Sequence, residues 1–193
     1  MSDYTAIEAV SSTLQDALRQ HITLSGEPQL NGVPVDLRSP KDLQTANVTS
    51  AVSLWLYRVT RDPDLLNDPP RRIGPNEYLR QALPLHLYYL ITPLSVDVGD
   101  RHVLLGRAVQ VLHDLSIARG ADLKGVLQGS GEELRVVLEP LTVEDLTRIW
   151  NALQESYQLS VSYVVQVVKI DSDREHIKTT PVLVKDVVYT QIL

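Results

Sequence analysis

LPLHLYYLIT, residues 83–92, is the stretch of sequence that decides the fold of this chain. Side chains of an extended strand point alternately to its two faces. The odd-numbered positions of this stretch, all Leu, Tyr or Ile, therefore share one apolar face. Residues 48–60 alternate in the same way but are apolar on both faces, which indicates a strand covered on both sides. The two stretches predict two strong β-strands.

Apolar residues at three- and four-residue spacing predict three helices. The first spans residues 4–20, and the second spans residues 97–119 and is ended by the glycine that follows. The third begins at Thr142, which forms a capping box with Asp145 three residues later. Trp150 lies on the apolar face of this third helix, so we expect it to be a core residue.

Shorter apolar runs predict the remaining strands. Residues 30–37 contain a proline and are expected to form an edge or irregular strand, and residues 134–138 form another. Residues 159–170 and 182–189 are rich in Val and could pair as a hairpin across a charged turn. The order of elements predicts an α/β (α+β) fold in a single domain, residues 1–193, with a mixed, mostly antiparallel β-sheet and helices packed on it.

Composition excludes several classes of function. The chain has 18 Lys and Arg against 24 Asp and Glu, a net charge of −6, which argues against nucleic-acid binding that depends on neutralising phosphates. It has no cysteine, which excludes a disulfide framework, a thiolate zinc site and a cysteine nucleophile. The first residues lack the basic segment of a signal peptide, and the longest apolar stretch is too short to span a bilayer, so we expect no direct membrane insertion.

Residue types that carry enzyme and metal chemistry are present without the spacing that such sites need. His102 and His113 lie about three helical turns apart, too far to share a metal ion without a third element. No serine lies in a G-x-S-x-G elbow. The glycines of residues 125–131 are followed by Glu132 and Glu133, which would repel a phosphate. We therefore predict no catalytic, cofactor-binding or metal-binding residues.

Three stretches taken together resemble one known family. They are LHLYYLITPLSVDVGDRHVLLGRAVQVLHD (85–114), LRVVLEPLTVEDLTRIWNAL (134–153) and YQLSVSYVVQVVKIDSD (157–173), followed by Pro181 and Val182. In order and spacing they resemble the tail-terminator, or cap, proteins of contractile injection systems, the phage-tail-like particles of bacteria. The resemblance extends over nearly the whole chain and is to an N-terminal domain formerly of unknown function.

The resemblance implies a structural role. Copies of a family member form a six-fold ring, a homohexamer, at the baseplate-distal end of the inner tube and sheath, where they stop polymerisation and hold the sheath extended. The implied partners are other copies of the chain and the tube and sheath proteins. The implied location is the bacterial cytoplasm during assembly and then the particle, which stays inside the cell or is released. A small-molecule enzyme or a monomeric adaptor on an α/β domain remains the alternative.

Two places in the sequence are candidates for contact with a partner. Residues 61–81 contain four prolines and are predicted to be a long exposed loop outside the sheet, with Arg71 and Arg72 as a small basic spot on an acidic chain. Ile192 and Leu193 are apolar residues near a chain end, where solvated residues are usually polar. The competing interpretations are a solvated loop and a terminus that packs on its own domain.

Overall fold

A computed structural model describes residues 3–65, 69, 72–174 and 177–178. The helices are α1 (Ala6–His21), α2 (Pro40–Thr45), α3 (Val98–Asp114) and α4 (Val143–Leu153). The strands are β1 (Val35–Asp36), β2 (Ala51–Arg61), β3 (Arg72–Gly74), β4 (Glu77–Tyr78), β5 (Leu83–Leu94), β6 (Ile117–Arg119), β7 (Glu133–Glu139), β8 (Val161–Ile170) and β9 (Ile177–Lys178).

Six of these strands form one sheet, which we call the main sheet, in the order β1-β2-β5-β8-β7-β6. Strand β1 runs parallel to β2, and the other neighbours are antiparallel, so the predicted mixed, mostly antiparallel sheet is confirmed. The long strand β5, which contains the stretch 83–92, lies between β2 and β8. Its two-sided burial is the physical reason that this segment determines the fold.

Helices α1 and α3 cover one face of the main sheet and close the larger core. The fully buried members of this core include Leu14, Leu18, Leu54, Leu87, Ile91 and Leu112. A 3₁₀ turn at Gly125–Leu127 also packs on α1. A Cβ on Gly125, whose φ is +55°, would lie 3.1 Å from Ala9 Cβ, so this glycine serves close packing.

Helix α4 covers part of the opposite face and forms a smaller cluster. Trp150 and Leu153 pack there with Leu90 of β5, and Trp55 and Tyr57 of β2 surround them. Trp150 is 1% exposed, which confirms that it is a core residue. The Thr142 hydroxyl accepts a hydrogen bond from the Asp145 N–H at 3.1 Å and donates to the Asp145 carboxylate at 2.6 Å, so the predicted start of α4 is also confirmed.

The predicted end of α3 is wrong. The helix ends at Asp114 and not near Arg119, because the Ser116 carbonyl accepts from the Val136 N–H and residues 117–119 pair with β7 as the edge strand β6. Gly120, at φ +57°, ends β6 instead of a helix.

Two further differences concern short elements, and one prediction is not tested. Helix α2, which Ser39 caps ahead of Pro40, was not expected. Of the predicted loop 61–81, Arg61 is the last residue of β2 in the main sheet, and residues 72–74 and 77–78 form the strands β3 and β4 of a separate sheet instead of an unstructured loop. The predicted strand 182–189 lies outside the described residues.

Candidate functional site

The polar residues that could have formed a catalytic centre serve the fold instead. The Ser53 hydroxyl donates to the Arg38 carbonyl at 2.7 Å, and the Ser160 hydroxyl accepts from the Trp150 indole at 3.2 Å. His86 Nε2 lies 3.1 Å from a carboxylate oxygen of Asp62, and both side chains are largely buried. Within the described ranges, no three His, Asp or Glu side chains are grouped closely enough to hold a metal ion.

One partly buried polar cluster lies beside α4. Glu139 accepts hydrogen bonds from Tyr57 at 3.1 Å and Ser162 at 2.8 Å, and it forms an ion pair with Arg58 at 3.2 Å. The pKa of Tyr57 is raised, chiefly by burial, while the hydrogen bond with Ser162 lowers it. The tyrosine therefore stays protonated at neutral pH. The cluster links β2, β7 and β8, and it borders an open cleft of about 590 Å³ between α4 and the sheet.

The two edges of the main sheet are protected against further strand pairing. At β1, which has two residues, the Val35 carbonyl already accepts from the Gln15 side chain at 2.8 Å. At β6, which has three residues, the Arg119 N–H donates to the Asp122 carboxylate at 3.4 Å. Very short edge strands are a known protection against edge-to-edge association, and here one backbone group of each edge strand is also occupied. Of the predicted segment 30–37, only Val35–Asp36 forms a strand, and it lies at the sheet edge as predicted.

A second, three-stranded sheet extends from one end of the main sheet. Its order is β3-β4-β9, and we call it the arm, residues 72–78 and 177–178. Register places the end of β2 beside the start of β5 and the start of β5 beside the end of β8. The connection between β2 and β5 and the segment after β8 therefore leave the sheet together and pair with each other.

Arg72 is the one predicted contact residue that lies among the described residues. It is exposed at the start of β3, and its guanidinium donates to the carbonyls of Gly74 at 2.9 Å and Pro75 at 2.6 Å. Arg72 therefore holds the turn of the arm while its charge remains at the surface. Arg71, Ile192 and Leu193 lie outside the described residues, so their contacts remain predictions.

The opposite end of the main sheet combines apolar and acidic residues, and we call it the acidic end, residues 94–101 and 138–159. The end of β5 and the start of β2 meet here, as do the end of β7 and the start of β8. Six carboxylates and two arginines lie in these two segments. The pKa of Asp145 is lowered, first by the hydrogen bond from the Thr142 hydroxyl, which favours the charged form.

Six large apolar side chains are exposed in the two segments of the acidic end. They are Val96, Val98, Leu138, Val143, Tyr157 and Leu159. Val96 is 81% exposed and lines an open cleft of about 520 Å³ together with Val48, Leu94 and Gln158. Exposed apolar side chains that cluster in this way are typical of protein–protein contact surfaces.

Sequence reasoning missed both the arm and the acidic end. The Gly-Pro-Asn sequence at residues 74–76 was a turn signal that could have indicated the hairpin of the arm. The acidic end has no comparable local signal, because its residues come from separate connections that only the fold brings together.

The helices of the described part of the chain all lack the length and apolar character that a membrane crossing would require.

Comparison with known proteins places this fold in a structural context. The chain superposes on a solved structure described as the PVC sheath/tube terminator of an extracellular contractile injection system in its extended state, with a TM-score of 0.66 and 19% identity. It also superposes on the anti-feeding prophage tube-terminating cap, with a TM-score of 0.63 and 20% identity.

The two superpositions differ in how much of each protein they include. The first covers 100% of this chain and 66% of the terminator, and the second covers 93% of this chain and 60% of the cap. The chain thus spans less than two thirds of the length of either protein. At these identities the likeness establishes the fold alone.

Sequence comparison gives the family. No curated protein matches the sequence significantly. The family described as the Pvc16 N-terminal domain matches residues 9–183, which is most of the chain. The predicted resemblance to tail terminators is confirmed, and the chain belongs to the Pvc16 N-terminal domain family.

Proposed function

We propose that this chain is a structural cap of a contractile injection system, which ends the inner tube and sheath at the end distal to the baseplate. The observation that carries the proposal is the family match over residues 9–183. It is joined by the superposition of the full chain on a protein described as a sheath/tube terminator. The two solved structures named above are described as terminating or capping proteins, which favours this role over an enzyme or a monomeric adaptor.

The construction of the main sheet is compatible with a cap. A terminator has to bind a polymer end without offering a site at which the polymer can continue. Protected edge strands at β1 and β6 remove the simplest route by which a β-sheet protein extends an assembly. The arm and the acidic end are two different surfaces, as the two halves of a head-to-tail ring contact are.

The proposed assembly is a homohexameric ring that sits on the tube and contacts the sheath. In this proposal the chain enters the particle in the bacterial cytoplasm and remains part of it, inside the cell or after release. Arg71 and Arg72 contact a neighbouring chain, and Ile192 and Leu193 bind apolar surface on a partner. Charges at the rim of an interface affect assembly rate and its salt dependence more than final affinity.

Deletion of the chain from cells that assemble the particle tests the function. We expect tubes or sheaths of abnormal length, or particles that fall apart, and rescue when the chain is supplied from a plasmid. Electron microscopy of purified particles gives the length distribution, and a tagged chain gives its position. Deletion particles of normal length, yield and contraction would show that the chain is not the terminator.

The contact residues need their own variants. Arg71→Glu with Arg72→Glu is expected to leave the melting temperature of the isolated chain nearly unchanged and to slow incorporation into particles, most visibly at low salt. Because Arg72 also holds its own turn, Arg119→Glu with Arg135→Glu, two exposed arginines on β6 and β7, is the matched charge control away from the arm. Removal of Ile192 and Leu193 tests the terminus in the same assay. If the arginine variant is incorporated normally at every salt concentration, Arg71 and Arg72 do not contact a partner, and segment 61–81 is only a solvated connection.

A further inference from the structure

We infer that residues 182–189 of one subunit pair, as an added β-strand, with the outer edge of β2 in the neighbouring subunit. That edge is formed by residues 54–61, and we call it the open edge. The inference rests on the proposed ring and adds the contact that joins its subunits. When a strand is added to a sheet edge, backbone hydrogen bonds supply the affinity and side chains supply the specificity.

The open edge is the part of β2 that β1 leaves uncovered. Strand β2 has 11 residues, and β1 pairs with only Val52 and Ser53. Residues 54–61 therefore have β5 on one side and, among the described residues, no strand on the other. A long uncovered edge is one that native proteins shield or pair, because it is a template for another strand.

Before the bulge in β2, alternate backbone groups point out of the sheet. The Val52 N–H donates to the Pro34 carbonyl, in the segment before β1, at 2.9 Å. Because the direction of the backbone groups alternates along a strand, those of Leu54 and Leu56 point the same way. Neither residue makes a backbone hydrogen bond with a described residue on that side.

The alternation continues beyond the bulge. The Asp62 N–H donates inward to the Pro84 carbonyl at 3.0 Å, so the backbone groups of Val59 and Arg61 point outward. They too have no backbone partner within the described part of the chain. Val59 is 45% exposed, so this half of the open edge is accessible to a partner.

The open edge also limits what can pair with it. A bulge between Leu56 and Arg58 interrupts its regular spacing, and Arg58 and Arg61 are exposed along it. Bulges and edge charges discourage pairing with an arbitrary strand. The partner strand therefore has to be matched to this edge, as a segment of the same protein can be.

The course of the chain after β9 points to a neighbour. Lys178, the last residue of β9, pairs with Glu77, which follows the turn between β3 and β4. The chain thus passes Lys178 at the tip of the arm and runs away from the main sheet. Fifteen further residues follow in the sequence. This direction favours the open edge of a neighbour over the open edge of the same subunit.

Residues 182–189, VLVKDVVY, have the composition of a strand that fits this edge. They include four valines, a leucine and a tyrosine, and they equal the open edge in length. Pro181 stands before them, where a strand tolerates proline. The proposed contact residues Ile192 and Leu193 follow closely, so one segment carries both contacts.

The segment and the open edge are different surfaces of one subunit, so each subunit can donate to one neighbour and accept from the other. That is the heterologous contact from which a closed ring is built. A filled edge offers no outward backbone groups of β2 to a further strand, which suits a terminator.

The absence of cysteine from the sequence makes a cross-linking test direct. One chain carries Val59→Cys, and a set of second chains carries cysteine at each position of 182–189 in turn. Each pair is supplied to cells that lack the native copy, and the purified particles are oxidised. Because a disulfide needs Cα atoms within about 7 Å, we expect a covalent dimer at one or two neighbouring positions of the segment.

The dimer should form only when both chains are present. The matched control replaces Val59→Cys with Leu24→Cys, which is also exposed but lies after α1, and it should give no dimer. Both cysteines are then placed in one chain, where oxidation should give a ladder of covalent oligomers. A monomer that has lost its free thiols would mean that the segment pairs with its own subunit, and the inference would be wrong.

Proline variants measure assembly instead of distance. Leu183→Pro and Val184→Pro are compared, because consecutive N–H groups of a strand point to opposite sides and one of the two prolines removes a donor to the open edge. We expect that variant to lower incorporation about tenfold or more and to leave the melting temperature of the isolated chain unchanged. Leu183→Thr and Val184→Thr keep the N–H and should incorporate normally.

The outcomes separate the inference from the function on which it rests. If the chain is present at the particle end but no cysteine pair gives a dimer, or both proline variants incorporate normally, this inference is wrong while the cap function stands. If the native chain is absent from particles altogether, the proposed function itself is wrong.

Discussion

The two faces of the main sheet are covered by helices of the same protein, yet they are built differently. The face under α1 and α3 is sealed mainly by aliphatic side chains, and its two tyrosines, Tyr89 and Tyr163, are buried. The face under α4 is aromatic and partly open, and it contains the polar cluster around Glu139. The first face stabilises the subunit, whereas the second meets the acidic end and leaves surface available for partners.

The α4 face should nevertheless contain the most important aromatic anchor. Trp150→Ala is expected to destabilise the chain by about 3–5 kcal/mol, because it empties the cluster between α4 and β5 and leaves the Ser160 hydroxyl without its indole donor. Thermal or urea unfolding of the isolated chain measures the effect. Tyr157→Ala is the control, since Tyr157 makes an edge contact with Trp150, with ring centroids 6.5 Å apart, and is half exposed.

A melt unchanged within a degree or two would contradict this prediction. It would place the stability of the subunit entirely under α1 and α3 and make α4 a docking element only.

Thr92, on the α4 side of the main sheet, tests whether a buried hydroxyl without a hydrogen-bond partner destabilises the chain. Its side chain is 0% exposed, and its hydroxyl has no hydrogen-bond partner among the described residues. Thr92→Val removes the buried hydroxyl at nearly constant shape and is expected to raise the free energy of unfolding by about 1 kcal/mol. Ser53→Ala on the neighbouring strand is the contrasting control, because the Ser53 hydroxyl has a partner and its loss should destabilise.

Urea unfolding of both variants shows whether each substitution raises or lowers the free energy of unfolding. A destabilised Thr92→Val would show that its hydroxyl is satisfied in solution.

Tyr89→Phe tests the sealed face. Its hydroxyl lies 2.8 Å from that of Ser11 in α1, and burial raises the pKa of Tyr89, so the phenol stays neutral. Loss of this buried bond is expected to destabilise by about 1 kcal/mol. Tyr57→Phe on the open face should cost less, because Glu139 keeps its bonds from Ser162 and Arg58. Equal losses in urea unfolding would remove the distinction between the faces.

Strands β2 and β5 were predictable because their apolar residues recur within each strand, so the burial of both faces can be inferred from a short stretch of sequence. The capping box at Thr142 was predictable for the same reason, since both partners lie within one helical turn. Helix α2 had a usable signal in Ser39 before Pro40, which was overlooked.

The missed elements depend on distant partners. Strand β6 replaces the last turn predicted for α3 because β7 supplies backbone hydrogen bonds. The arm pairs Tyr78 of β4 with Ile177 of β9, about a hundred residues later. Contacts of that range leave no periodic pattern, and the acidic end, assembled from several connections, leaves none either.

The smallest expected effect belongs to an ion pair at the rim of the sealed face. Lys124 Nζ lies 2.9 Å from the Asp16 carboxylate, and this hydrogen bond is the main reason that the pKa of Asp16 is lowered. A carboxyl whose pKa is lower in the folded state contributes stability above its ordinary pKa, and the contribution is lost as the pH falls through the lowered value. Both side chains are about one third exposed, so solvent screening keeps the effect below about 1 kcal/mol.

Lys124→Met retains the aliphatic stem and removes the charge. We expect it to be slightly less stable than the parent at pH 7, and we expect the difference to shrink as the pH falls through the lowered pKa of Asp16. Urea unfolding at several pH values measures the difference between the two chains, which cancels the other carboxylates. If the difference in unfolding free energy stays the same in acid, Lys124 acts through packing on α1. The ion pair with Asp16 would then contribute nothing to stability.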